Sequence, residues 1–186
     1  MSASLNELFL AACKSLNIEK MSACLTLKVD INTVDSSKNM TGLMKCVRKP
    51  GSQEGDRSVE LLLQQPGLDI NKQENAKQCT ALHLASYINN HIAVARLCVM
   101  PGIHLNILDI QGITPLHYAV WKGHIESVRA LNVNGIDWNL KSGGDSAVMI
   151  AVKNGRTEIF KYLIEISDVD LNTRDAQNKT LKTVAR

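Results

Sequence analysis

Two histidines in matching contexts, Thr80-Ala81-Leu82-His83 and Thr114-Pro115-Leu116-His117, are the residues on which metal binding or acid-base catalysis would have to rest. An imidazole titrates near neutrality and is a common metal ligand, but it needs companions. None is spaced to serve. The cysteines Cys13, Cys24, Cys46, Cys79 and Cys98 form no C-x-x-C pair and no cluster with histidine at metal-ligand spacing. No nucleophile sits in a G-x-S-x-G elbow and no glycine-rich phosphate loop is present; Gly143-Gly144 reads as a hairpin turn. Asp109, Asp145 and Asp175 begin or adjoin turn-forming stretches, where a carboxylate serves its own backbone. These residues predict neither an enzyme nor a metal or other cofactor site.

Composition narrows the classes further. The chain has 186 residues, 45% of them apolar and only 4% aromatic, which suits thin layers of small helices. Its 21 basic and 18 acidic side chains give a net charge of +3, too mild to announce nucleic-acid binding. The five cysteines mostly fall within apolar helical patterns, and this usage predicts buried thiols and a reducing compartment. The short apolar run from Leu8 to Cys13 follows Glu7 without a basic leader, so neither a signal peptide nor a membrane span is expected. An intracellular, cytoplasmic or nuclear, monomeric protein is the expectation.

What would position any functional residue is a repeat. The alanine ending Thr114-Pro115-Leu116-His117-Tyr118-Ala119 has counterparts in Ala12, Cys46, Ala85, Ala151 and Ala185, at steps of 34, 39, 34, 32 and 34. A second marker, the asparagine closing each unit, recurs as Asn32, Asn71, Asn106, Asn139 and Asn172, at steps of 39, 35, 33 and 33. Two markers drifting together define units of approximately 1–35, 36–74, 75–108, 109–140 and 141–174 with a partial 175–186, within one domain over 1–186. Inside a unit, Thr114 is a helix N-cap, Pro115 the first helical residue and Gly123 the terminator after Lys122. A second helix follows from about Ile125 to Asn132, with Ile125, Val128 and Leu131 on one face. Asn134-Gly135 and the polar residues beyond suit a tight turn or hairpin.

The T-P-L-H-x-A hexapeptide, Gly123-His124 between the helices, the closing G-x-D-x-N at Gly135 to Asn139 and the 33-residue period together resemble the ankyrin repeat. The resemblance covers practically the whole chain. It implies an all-α solenoid of stacked helix-turn-helix units joined by hairpin loops, with Leu116, Ala119, Val128 and Leu131 in the shared core. It also implies that His83 and His117 hydrogen-bond to the adjacent hairpin backbone. Trp138, beside the closing asparagine, is expected to pack inside.

Several departures carry expectations of their own. The first unit lacks a capping threonine, with Glu7 in that place, and looks like an N-terminal cap. Lys49 to Asp56 reads as an exposed, mobile insertion, since Cys46 to Asp56 spans ten residues where Ala119 to His124 spans five. Gln78 stands where a turn glycine is expected, and Tyr87-Ile88-Asn89-Asn90 reads as one residue longer than its counterpart. The last unit stops inside its first helix, which makes it either a half-repeat cap or part of something longer.

In ankyrin arrays the concave face is made by hairpin tips and the first helices, so positions two residues past the marker alanine face the groove. Here these are Lys14, Arg48, Tyr87, Trp121 and Lys153, with Lys49, Ile88, Lys122 and Asn154 beside them. Ile110 and Gln111 occupy the hairpin tip ahead of Thr114. Two central aromatics flanked by basic residues, with no acid interrupting, match the anatomy of a binding hot spot. The resemblance thus implies non-enzymatic recognition of another protein, through a segment with acidic and apolar groups, and no small-molecule substrate. An ankyrin segment of a larger channel, receptor or scaffold is the alternative, and nucleic-acid binding through the same row is a weaker one. The resemblance further implies asparaginyl hydroxylation, favoured where leucine precedes the closing asparagine by eight residues, as at Leu63 to Asn71 and Leu131 to Asn139.

Overall fold

The computed structural model describes residues 3–184. Its helices come in antiparallel pairs: α1 (Leu5–Ser15) with α2 (Ile18–Thr26), α3 (Gly42–Val47) with α4 (Gln53–Leu63), α5 (Ala81–Tyr87) with α6 (His91–Cys98), α7 (Pro115–Lys122) with α8 (Ile125–Ala130), and α9 (Ala147–Lys153) with α10 (Thr157–Ile164). A short α11 (Leu181–Val184) lies against α9. The first helices stack in the order α1, α3, α5, α7, α9, and the second helices form a parallel layer behind them. A single apolar core runs from Phe9 to Val169 between the layers. Leu116, Ala119, Val128, Leu131 and Trp138 are all buried within it. No isolated pair could bury this much surface, so stability resides in the stacking.

The first helices α5 and α7 start where the capping chemistry says they should, whereas the N-cap of α9, Ser146, makes no side-chain capping bond. Thr114 Oγ1 accepts the His117 amide at 3.3 Å, and Thr80 Oγ1 accepts that of His83 at 3.4 Å. The imidazole Nδ1 atoms accept in return from the threonine amides, at 3.4 and 3.1 Å. This reciprocal box satisfies donors that a helix N-terminus otherwise leaves orphaned. Gly123 ends α7 at a φ of 80°, a left-handed conformation that glycine adopts without a Cβ penalty.

The closing asparagines form a ladder along one edge. The Nδ2 groups of Asn32, Asn71, Asn106 and Asn139 donate to Gly67, Gly102, Gly135 and Asp168 carbonyls at 2.7–2.8 Å. Their Oδ1 atoms accept from Asp69, His104, Asp137 and Asp170 amides at 2.7–2.9 Å. Each asparagine therefore couples its own turn to the next one, which explains why the second sequence marker keeps register with the first. Between α8 and α9 the connection becomes a true hairpin, β1 (Lys141–Ser142) paired antiparallel with β2 (Asp145–Ser146). Gly143 and Gly144, at φ of 59° and 91°, form its two-residue turn.

Four expectations are corrected. Unit one does have a cap: α1 begins a turn early, Ser4 Oγ accepts the Glu7 amide and Glu7 reaches back to the Ser4 amide at 2.8 Å, so Glu7 completes a box instead of replacing the capping residue. In the insertion after α3, Gln53 to Asp56 form the first turn of α4 behind an Ser52 N-cap, which leaves only Arg48 to Ser52 as loop. Tyr87 to Asn90 carries no extra residue, because Asn89 at a φ of 62° takes the role of Gly123 and Asn90 caps α6. Finally, α8 ends at Ala130, two residues short of Asn132. Gln78 does occupy the left-handed turn position, at a φ of 57°. The last marker, Ala185, lies outside the described residues.

Candidate partner-binding groove

The two motif histidines are structural. His83 Nε2 lies 3.0 Å from the Ile113 carbonyl and His117 Nε2 3.0 Å from the Leu140 carbonyl, so each ring joins its own cap to the next hairpin. Both rings are buried, and both are neutral imidazoles with a proton on Nε2, since Nδ1 accepts from backbone. Desolvation by burial lowers the pKa of each, and the carbonyl bonds offset this only in part. Depressed histidine pKa values mean that the unfolded chain binds more protons below its ordinary pKa of 6.5. Stability is therefore fully present above that pH and lost below it. We expect denaturant midpoints to fall between pH 7 and pH 5, with a limiting slope of about 1.4 kcal/mol per pH unit for each histidine. A His83→Gln, His117→Gln double variant should flatten that dependence.

Tyr87 and Trp121 are 38% and 46% exposed. Lys122 Nζ lies between them, 4.5 Å from the Tyr87 ring centroid and 4.8 Å from that of Trp121. Such a contact contributes about 0.5–1 kcal/mol when exposed and fixes both rings as well. Behind Tyr87 stands Tyr118, edge-on at 5.5 Å, and behind Tyr118 stands His83 at 6.0 Å. Tyr118 is buried and donates its hydroxyl to Asp109 Oδ2 at 2.6 Å. The other Asp109 oxygen accepts the Gln111 and Ile113 amides at 2.8 and 2.9 Å. Asp109 is thus the expected turn residue and also the anchor of the aromatic file.

The backbone at both aromatics is held by the following helix pair. His124 Nε2 lies 3.1 Å from the Tyr87 carbonyl, and Arg156 donates from Nη2 to the Trp121 carbonyl at 2.8 Å. These side chains satisfy carbonyls at helix C-termini that otherwise lack partners. No sequence pattern marks Tyr118 or Arg156 for these roles, and His124 enters the sequence pattern only as half of the Gly-His pair between helices. A tyrosine at a core register, whose hydroxyl must find a partner when buried, was the available signal for the first.

The basic row divides. Lys14, Arg48, Lys49, Asn154, Ile110 and Gln111 are exposed, whereas Ile88 and Lys122 are half-buried. Ile110 and Lys77 are joined through the Ile110 amide and the Lys77 carbonyl at 2.9 Å, which fixes neighbouring hairpin tips. Lys153 contradicts the expectation of a row without acids. Its ammonium lies 2.7 Å from Asp145 Oδ1 and 3.1 Å from Asp175 Oδ2, carboxylates supplied by two successive turns. The α9 end of the groove is accordingly neutralised, while Arg48 and Lys49 form no ion pair among the described residues.

Two depressions line the groove. One of about 250 Å³ lies among Lys38, Met40, Arg48, Lys77, Leu84, Tyr87 and Ile88. The other, about 220 Å³, lies among Ile113, Trp121, Ser142, Asp145 and Asn154. Both fall below the roughly 300–1,000 Å³ usual for small-molecule sites and suit single side chains of a larger partner. No cluster of three or more possible metal ligands occurs among the described residues. Among them, too, no helix is long and apolar enough to cross a membrane.

A family model described as ankyrin repeats in three copies matches residues 43–142, and a single ankyrin-repeat model matches residues 143–176. The E3 ubiquitin-protein ligase KEG of Arabidopsis thaliana is 30% identical over 142 residues, 73% of this chain and 9% of that protein. The I-Kappa-B like protein I1 of Microplitis demolitor bracovirus is 34% identical over 89 residues, 48% of this chain and 53% of that protein. The putative ankyrin repeat protein FPV031 of fowlpox virus is 33% identical over 166 residues, 86% of this chain and 47% of that protein. The chain spans about half or less of the length of each of these relatives. The matches span most of the chain, which repeats its Thr-His capping box in α5 and α7 and its asparagine ladder from Asn32 to Asn139, and the chain belongs to the ankyrin-repeat family.

Proposed function

We propose that this chain is a non-enzymatic protein-recognition module that binds a partner segment along its concave groove. The observation that carries the reading is the pre-ordered Tyr87, Lys122 and Trp121 cluster, exposed on a face made of repeats that generally serve protein interaction. Large aromatics held rigidly on a concave surface lose little entropy on binding, and the basic residues around them steer an acidic partner. Arg48 and Lys49 contribute that steering, together with Lys14 at the end of the array; Lys153 serves the fold through Asp145 and Asp175.

With a partner recovered by affinity capture, Arg48→Glu combined with Lys49→Glu should lower the association rate about tenfold at low salt, with the difference shrinking as salt rises. Equal association rates for both proteins would refute the steering role. The hydroxylation implied for Asn71 and Asn139 is a proposal of the same kind, checked by mass spectrometry after co-expression with an asparaginyl hydroxylase. Both amides are engaged in the ladder, so modification should appear first in protein carrying a destabilised repeat.

A second reading is that the chain is the ankyrin segment of a larger protein and that its groove receives another part of that protein. The 9% of KEG that it spans favours that reading.

A further inference from the structure

The two depressions of the groove differ in electrostatic character. At the Trp121 depression the nearby ammonium of Lys153 is already committed, 2.7 Å from Asp145, and Asp145 itself lines the wall. At the Tyr87 depression three cations, Lys38, Arg48 and Lys77, stand at the rim with no ion pair among the described residues. The contrast with Lys45, paired to Asp35 only seven residues from Lys38, shows that cations here take a carboxylate partner where one is in reach.

The single acid in that lining forms no ion pair with them and offsets only one of the three charges. Glu74 is buried, and its carboxylate accepts the Ala76, Lys77 and Cys79 amides at 2.8, 2.6 and 3.3 Å. Among the described residues Arg48 has only the Met40 sulfur, at 3.5 Å, as a side-chain partner. Between the cations the wall is apolar: Met40 is buried at the base, with Leu84, Ile88 and the Tyr87 ring around it. Tyr87 is braced there by Tyr118, whose hydroxyl is fixed on Asp109, so the wall is rigid before any ligand arrives.

We infer that this depression is the specificity pocket of the groove, taking one apolar side chain of a partner peptide whose flanking carboxylates seat on Lys38, Arg48 and Lys77. The inference rests on the groove reading above and adds a location, an anchor type and a polarity. A volume of about 250 Å³ is enough for one large aliphatic or aromatic side chain. The acidic flank lies toward α3, and the opposite flank runs past Trp121 toward the neutralised end. Lys122 is not among the residues that line the depression; its ammonium lies over the Tyr87 and Trp121 rings.

The test uses the full chain against a displayed library of 12-residue peptides with one fixed central position, occupied by Leu, Met, Phe, Trp, Ala or Ser, and random flanks. Enriched peptides are then measured by fluorescence anisotropy. The expected result is enrichment of a large apolar centre with Asp or Glu on one side. Affinity should fall at least tenfold in Lys38→Glu, Lys77→Glu protein, and similarly in Ile88→Glu protein. Lys38 and Lys77 are exposed and form no ion pair among the described residues, so circular dichroism and melting should stay unchanged in the charge variant. Peptides that depend on Trp121 but not on Lys38, Lys77 or Ile88 would overturn the pocket while leaving the groove reading intact. Peptides with no acidic flank, or an enriched set without an apolar centre, would overturn it as well. Ligands insensitive to all of these positions and to Trp121 would overturn both.

Discussion

His117→Ala is expected to destabilise the protein by about 2–4 kcal/mol, because it strips a buried site of three hydrogen-bonding partners at once. The Thr114 amide and hydroxyl lose Nδ1, at 3.4 and 2.7 Å, and the Leu140 carbonyl loses Nε2 at 3.0 Å. The ring itself is 2% exposed, so its removal also leaves a cavity. In a chain of this size the melting temperature should drop by about 5–15 °C. Amide exchange should accelerate first in α7 and in the β1–β2 hairpin, the two elements that the ring joins. His91→Ala, at an exposed position on α6, should change stability by less than about 0.5 kcal/mol. Equal effects at the two positions would mean that the motif histidine is not structural.

Trp121→Ala should cost at least about 2 kcal/mol of binding energy, which corresponds to roughly thirtyfold weaker affinity. Most of that loss should appear as faster dissociation, because the indole acts in the docked complex and not in the encounter. Stability should move much less than in His117→Ala, since the ring is 46% exposed and Lys122 lies over it from the surface. The backbone that presents it is held independently by Arg156. A variant with unchanged dissociation would remove Trp121 from the site.

The repeat was legible because its markers are residues with narrow local jobs. Thr114 and His117 must be spaced by three to close a capping box, and Asn139 must sit where its amide meets the following turn. Such jobs write themselves into sequence as fixed spacings, and the positions that the same register marks just past each first helix's marker residue, Tyr87, Trp121 and Arg48, are all exposed. Insertions were legible only as counts. Ten residues between Cys46 and Asp56 could not reveal that Ser52 would cap a helix and draw Gln53 to Asp56 into it. Counting also failed at Asn89, because asparagine tolerates the left-handed conformation that the pattern assigned to glycine.

Pairings across units were not legible. Lys153 lies one position in its own repeat but takes its partners from two different turns, at Asp145 and Asp175, and only side-chain reach decides that. Within one unit, the bond between Tyr118 and Asp109, nine residues apart, was equally invisible, each residue looking ordinary in its own segment. A period tells which face a residue occupies. Which neighbour neutralises it depends on the lateral offset between successive hairpins, and that offset is set by the ladder and the stacked core together.

The central claim is that partners dock on the concave face, and a photo-crosslinker tests it most directly. A photoreactive residue replacing Ile88, in the wall of the groove, should couple to the partner in the mixed complex. The same residue replacing Glu126, exposed on α8 in the outer layer, should not. Coupling at position 126 with none at position 88 would contradict the account.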